Sequence, residues 1–197
     1  MASWGCAGAK LGPTTDLRLS SRDRSDSQSI DFSGRFDTAI YGYTDRNALT
    51  VLLIDGPTDA PRNVVEIKLL WESRAASTPV DRTATNVVVR LLDFREQAGE
   101  SKSLGLYSGA GFLKLHGDPA SADLSATLRQ CDLRLTDRSE RFTDRWGRLT
   151  MVGQIEARRD DASVTRTLRE INQRVRDRLE YPRLVNGTHQ IFAAPTI

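Results

Sequence analysis

Val64-Val65-Glu66-Ile67-Lys68-Leu69-Leu70-Trp71-Glu72 is the stretch on which the reading of the fold turns. Val65, Ile67, Leu69 and Trp71 point one way while Glu66, Lys68 and Glu72 point the other, a two-residue rhythm that belongs to a strand with one buried and one wet face. The same rhythm continues on either side. Before it, Phe36, Thr38, Ile40 and Gly42 alternate with Arg35, Asp37, Ala39 and Tyr41, and Leu49 to Ile54 forms a shorter, more uniformly apolar strand. The links Thr44-Asp45-Arg46-Asn47 and Asp55 to Arg62 are rich in turn-forming residues.

After it come a β-branched run from Thr83 to Phe94, a strand from Ser103 to Leu115, a strand through Leu124 and Leu135, and a last one from Gly147 to Arg158. Gly105, Gly109 and Gly111 interrupt the second of these and imply a bend, a bulge or a close backbone approach, with sharp curvature the simplest cause. In the third, Leu124, Ala126 and Leu128 hold one parity and Cys131, Leu133 and Leu135 the other, so one extra residue near Arg129-Gln130 would restore a single buried face. Seven strands are expected in all.

At Asp160-Asp161 the period changes. Val164, Leu168, Ile171, Val175 and Leu179 recur every three or four residues, the stripe of an amphipathic helix over 161–180 that Pro182 ends. Burying those five side chains brings roughly 7 to 15 kcal/mol of gross hydrophobic stabilisation, at about 1.5 to 3 kcal/mol each, so the helix docks on the sheet. The fold expected is therefore mainly β: an antiparallel up-and-down meander forming a sandwich or a partly open barrel, with one C-terminal helix packed on it. Residues 1–29 lack apolar periodicity and read as a disordered leader or tether, leaving 30–197 as a single domain. A domain of this size buries roughly 70% of its unfolded surface and needs no covalent staples.

Charge is balanced, 28 Lys and Arg against 26 Asp and Glu with the signs interspersed, so no nucleic-acid partner is implied. Five arginines between Arg134 and Arg148 surround Phe142 and Trp146, but Asp137, Glu140 and Asp144 lie among them, as in a salt-bridged connection between strands. The longest near-apolar run, Ala48 to Ile54, falls far short of the about 20 residues that span a membrane as a helix.

Catalytic residue types are sparse. Cys6, Cys131, His116 and His189 are scattered and give no zinc-ligand spacing. Ser108 has Leu106 where a nucleophile elbow requires glycine. Gly109-Ala110-Gly111 lacks the third glycine of a dinucleotide site; of the acidic loops Asp23 to Asp31 and Asp118 to Asp123, the first lacks the glycine and glutamate of a calcium loop; and Asn186-Gly187-Thr188 reads as a turn. No catalytic residue, metal or cofactor is expected.

Tyr41 and Tyr43 fall opposite Phe36 and Ile40, and with Phe142 and Trp146 they are the candidates for an exposed ligand or partner surface. Trp71, by its parity, belongs to the core. Gly5-Cys6-Ala7-Gly8 followed by a polar stretch resembles the mature start of a bacterial lipoprotein. That resemblance implies lipid attachment at Cys6, a flexible tether, and a place in the cell envelope or outside the cell; the alternative is an ordinary cysteine in a polar end. No basic start followed by an apolar stretch precedes Cys6.

The function expected is a non-enzymatic binding or structural protein with a protein or glycan partner, touching a membrane only through Cys6. A meander followed by one helix also resembles the lipocalins in architecture, which would imply a small apolar ligand inside a closed barrel. A hydrolase using acids or Ser108, with His116 or a buried carboxylate meeting the nucleophile in a cleft, is the third alternative.

Overall fold

The computed structural model describes residues 15–21, 29–31, 35–45, 48–73, 84–95 and 102–179. Among these, the elements in order are β1 (Asp16–Ser21), β2 (Ser29–Asp31), β3 (Thr38–Tyr43), β4 (Leu49–Asp55), β5 (Asn63–Leu69), β6 (Val87–Arg95), β7 (Ser103–His116), β8 (Asp123–Arg138), β9 (Leu149–Arg159) and α1 (Asp161–Leu179). From β3 to β9 each strand pairs antiparallel with the next. Strands that alternate up and down in odd number leave the first and last pointing the same way. The ring accordingly closes through a parallel pair, Ile40 with Arg158 and Tyr41 with Arg159. The meander expected from the sequence is thus a closed barrel rather than a sandwich.

Below that short closure, β1 pairs with β9 from Asp16 opposite Gln154 to Ser21 opposite Leu149, and β2 pairs with β1. Both strands lie in the stretch expected to be a tether, which is corrected here: the body of the protein begins by Thr15. The sequence signal was weak, because Leu17 and Leu19 are the only apolar residues in β1. What makes it a strand is the unpaired lower edge of β9, whose backbone groups would otherwise lack partners. Thr15 extends the contact, its Oγ1 donating to Glu156 O at 3.0 Å.

The expected extra residue in β8 is present. Its register against β9 shifts between Leu128 and Cys131, and β7 shifts opposite it between Gly111 and Leu113. Asn86, fully buried, spans the irregularity: its Nδ2 donates to Leu113 O at 2.9 Å and its Oδ1 accepts from Leu113 N at 2.7 Å. The β7 glycines serve close approach. A Cβ at Gly109 would lie 1.9 Å from Asp132 O, and one at Gly111 2.3 Å from Gln130 O, so β8 could not pass with side chains there.

Two apolar layers result. Inside the ring, Leu17, Tyr41, Val51, Ile67, Val89, Tyr107, Met151 and their neighbours pack from β1 and β3–β9 into one cluster. Outside, Ile171, Val175 and Leu179 of α1 pack on Ile54, Val64, Leu92, Phe94, Leu104 and Leu106, while Val164 and Leu168 pack on Leu52 and Ile40. β3 and β4 are therefore covered on both faces, which accounts for the uniformly apolar Leu49 to Ile54. Asp160 caps the helix, accepting from Ser163 N at 2.8 Å.

Elsewhere the outer surface of β8 is polar and charged, with Ser125, Asp132, Arg134 and Arg138 exposed, the reverse of the apolar belt a membrane barrel presents. Among the described residues, no helix is long and apolar enough to cross a membrane.

Candidate functional site

The four aromatics nominated from the sequence close the two ends of the barrel. At the upper end, where the β7–β8 turn lies, Tyr41 is fully buried and its hydroxyl donates to Ser121 O. Burial holds that phenol above its ordinary pKa, although the Ser121 hydrogen bond and Arg159 act against it. The expectation that Tyr41 is exposed is thus overturned. On β3 both parities are covered, one by the barrel interior and one by α1, so alternation does not tell inside from outside. Tyr43 is half-buried; its amide donates to Asp161 Oδ1 at 2.7 Å and its carbonyl accepts from Arg159 Nη2 at 2.9 Å. Arg159 also donates to Ala120 O at 2.8 Å, tying strand, turn and helix start together.

At the lower end the β8–β9 connection folds back as a stopper. Phe142 is 2% exposed, lying edge-on to Tyr107 with ring centroids 6.4 Å apart, and Trp146 is half-buried with its ring 5.4 Å from that of Tyr107. Phe142 is corrected from exposed to buried. It fits because Gly105 has no side chain: a Cβ there would sit 2.2 Å from Phe142 Cζ.

Asp144 organises the stopper. Its Oδ1 accepts from the Tyr107 hydroxyl at 2.6 Å and from the amides of Trp146 and Gly147 at 3.0 and 3.1 Å. Burial opposes its charge, but the Tyr107 bond, both amides and Arg95 outweigh burial and hold its carboxyl below the usual range. Desolvation, then the neighbouring carboxylate, pushes Tyr107 well up. The Arg95 guanidinium lies 4.3 Å from the Phe142 ring centroid and donates to Asp93 Oδ2 and Thr143 O. Two aromatic rings, Phe142 and Trp146, could take a cation from outside; here the chain supplies its own in Arg95.

Ser108 and His116 lie on one strand, eight residues apart, and a rise of about 3.3 Å per residue keeps them about 26 Å apart. His116 Nε2 is 2.7 Å from Thr127 Oγ1. A pairing of Ser108 with His116 is therefore ruled out by position. Cys131 is buried inside the barrel, its thiol raised to about 12 by burial and by Asp132, which leaves it inert. Among the described residues, no three His, Cys, Asp or Glu side chains converge as metal ligands. Cys6 lies outside the described residues.

What the sequence did not single out is the outer face of β5–β7. The track of α1 covers its lower half. Above that track, the outward side chains are Glu66 and Lys68 on β5, Val88 and Arg90 on β6, and Ser108 and Ala110 on β7, with Lys68 opposite Val88 and Val88 opposite Ala110. Leu70 continues the line at 47% exposure. Trp71 lies past the end of β5, half-buried instead of in the core, with its ring edge-on to Phe112 at 6.2 Å.

A groove of about 230 Å³ lies on this face, lined by Glu66, Lys68, Val88 and Arg90. Glu66 is 3% exposed, and Arg90 Nη1 reaches its Oε2 at 3.5 Å. Burial raises the Glu66 carboxyl above its usual range, with the charges of Arg90 and Lys68 and the Arg90 hydrogen bond acting against it. A buried carboxylate held by one loose ion pair, beside a lysine and apolar walls, is the arrangement among the described residues that best fits a binding site.

Fold and site together define a closed antiparallel β-barrel, filled by its own side chains and carrying a helix on one flank. No protein-family model, curated protein or solved structure gives a significant match to the chain.

Proposed function

We propose that this protein is a non-enzymatic binding module of the cell envelope or the extracellular space, meeting a protein or glycan partner on the outer face of β5–β7. One observation carries the reading: among the described residues, side chains from β1 and β3–β9 pack into one cluster inside the ring, whereas the face above α1 combines Leu70 at 47% exposure with a groove holding charged groups. Apolar surface rimmed by charge is the usual character of a contact patch. A carrier of the lipocalin kind would need space where Tyr41, Tyr107 and Phe142 stand. The sequence around Cys6 supports a lipid anchor, eight residues separating that cysteine from Thr15 where the body begins.

The test is site-specific photocrosslinking in the native host. A benzoylphenylalanine at position 70 is expected to give a discrete adduct, and the same probe at position 18, on the exposed side of β1, none. Adducts of equal yield at both positions, or none at 70, would refute the assignment. Mass spectrometry of the mature N-terminal peptide is expected to show Cys6 carrying a diacylglyceryl mass, and an unmodified thiol would remove the anchor.

A further inference from the structure

We propose that the groove between β5 and β6 is a ligand site for a small amphiphilic anion, its apolar part lying on Val88 toward Leu70 and its charge meeting Lys68 and Arg90. This goes beyond the contact-surface reading and does not depend on it.

The charge count decides the sign of the ligand. Three ionisable groups line the groove, two cationic and one anionic. Arg90 is engaged by Glu66, at 3.5 Å, while among the described residues no hydrogen bond or ion pair to Lys68 Nζ is found. Its field nonetheless reaches Glu66. The groove therefore carries one cation beyond neutrality when Glu66 is ionised, and two when it is protonated. A ligand ammonium would have to displace Arg90 from a carboxylate that is 3% exposed; a ligand anion needs no such exchange and completes the coordination of Lys68. Ion pairing at a partly buried site is screened less than at the open surface.

Among the described residues, the outer strand partners of Glu66 and Arg90 are uncharged. Across β4 the residue paired with Glu66 is Leu52, and beyond Arg90 on β7 stands Ser108. Size sets the other limit. About 230 Å³ is below the 300–1,000 Å³ of sites for drug-sized molecules, so the ligand is a short aliphatic chain or a single ring bearing one acid group.

Because Glu66 would lie beside the bound anion, proton uptake by Glu66 and anion binding favour one another. Sulfonates stay ionised across the working range, so hexanesulfonate isolates the protein's own titration. Hexanesulfonate titrated into the folded chain, followed by backbone amide NMR, is expected to give saturable shifts at Lys68, Val88 and Arg90 in the millimolar range, with hexylammonium at least about fivefold weaker. Lys68→Gln should weaken binding about fivefold or more with the rest of the spectrum unchanged, and Lys68→Arg should restore it. Lowering the pH favours the protonated Glu66 and should tighten binding to the native chain but not to Glu66→Gln; if that variant fails to fold, the Lys68 pair and the ammonium control still decide. Absence of saturation at these three amides, equal binding of hexylammonium, or indifference to Lys68→Gln would each overturn the assignment.

Discussion

Gly105 and Phe142 offer a sharp test of how the lower end of the barrel is closed. A methyl at position 105 would lie 2.2, 2.4 and 2.6 Å from three atoms of the Phe142 ring, well inside van der Waals contact, so Gly105→Ala must push the ring off the strand. Forcing extra volume into a packed site costs about 1–3 kcal/mol. Phe142→Ala alone should cost about 3–5 kcal/mol, because a ring 2% exposed leaves a cavity between Tyr107 and Arg95. Combined, the two should not add. With the ring gone, the three closest atoms to an alanine methyl at 105 are removed, and alanine is favoured over glycine in a strand by roughly 0.5–1 kcal/mol. Gly105→Ala should therefore change sign, destabilising the native chain and stabilising the Phe142→Ala chain, a coupling of about 2 kcal/mol or more. Urea denaturation of the four proteins measures it; with a slope of about 2 kcal/mol/M, the midpoint falls by about 1 M for Gly105→Ala alone. An equal loss in both backgrounds would refute the steric account and point to backbone strain at Gly105.

Other expectations follow from the same structure. Gly153 has φ +149° and a Cβ there would sit 2.0 Å from Asp16 O, so Gly153→Ala should lift β1 from β9 and accelerate amide exchange over residues 16–21 while β4–β6 stay protected. Asn86→Ala would strip both backbone partners from Leu113 at the bulge, costing about 1–3 kcal/mol for each buried group left unpaired, seen in a lowered denaturation midpoint. Ile171→Ala, at a residue 1% exposed, should cost about 2–5 kcal/mol, and a loss confined to helical circular dichroism would show that α1 detaches alone. Asp144 has its pKa lowered in the folded state. Its contribution is thus present above the unfolded carboxylate value of about 3.9 and lost as pH falls through that value toward the folded one. Asp144→Asn should flatten the acid limb of the stability profile between about pH 5 and 3, and an unchanged limb would show that the Tyr107 and amide bonds contribute nothing to it.

Local pattern determined much of this protein. The period of two over Val64 to Leu69 placed β5, the parity switch between Leu128 and Cys131 located the bulge in β8, and the stripe from Val164 to Leu179 placed α1, because strands and helices repeat their side chains at intervals readable within one segment. Tertiary structure alone decided which layer covers which face. Ile40 and Tyr41 are adjacent, and only the closure of β3 on β9 sends the tyrosine into the barrel and the isoleucine under α1. The same holds for β1, a strand because β9 has an open edge, and for the stopper at Phe142, which requires Gly105 to come beneath it from another strand. Glu66 reads as a wet residue in its own strand and is buried in the fold. The groove it shares with Lys68, Val88 and Arg90 exists only where two strands run side by side above the path of a helix, a coincidence of position that no periodicity along one chain segment encodes.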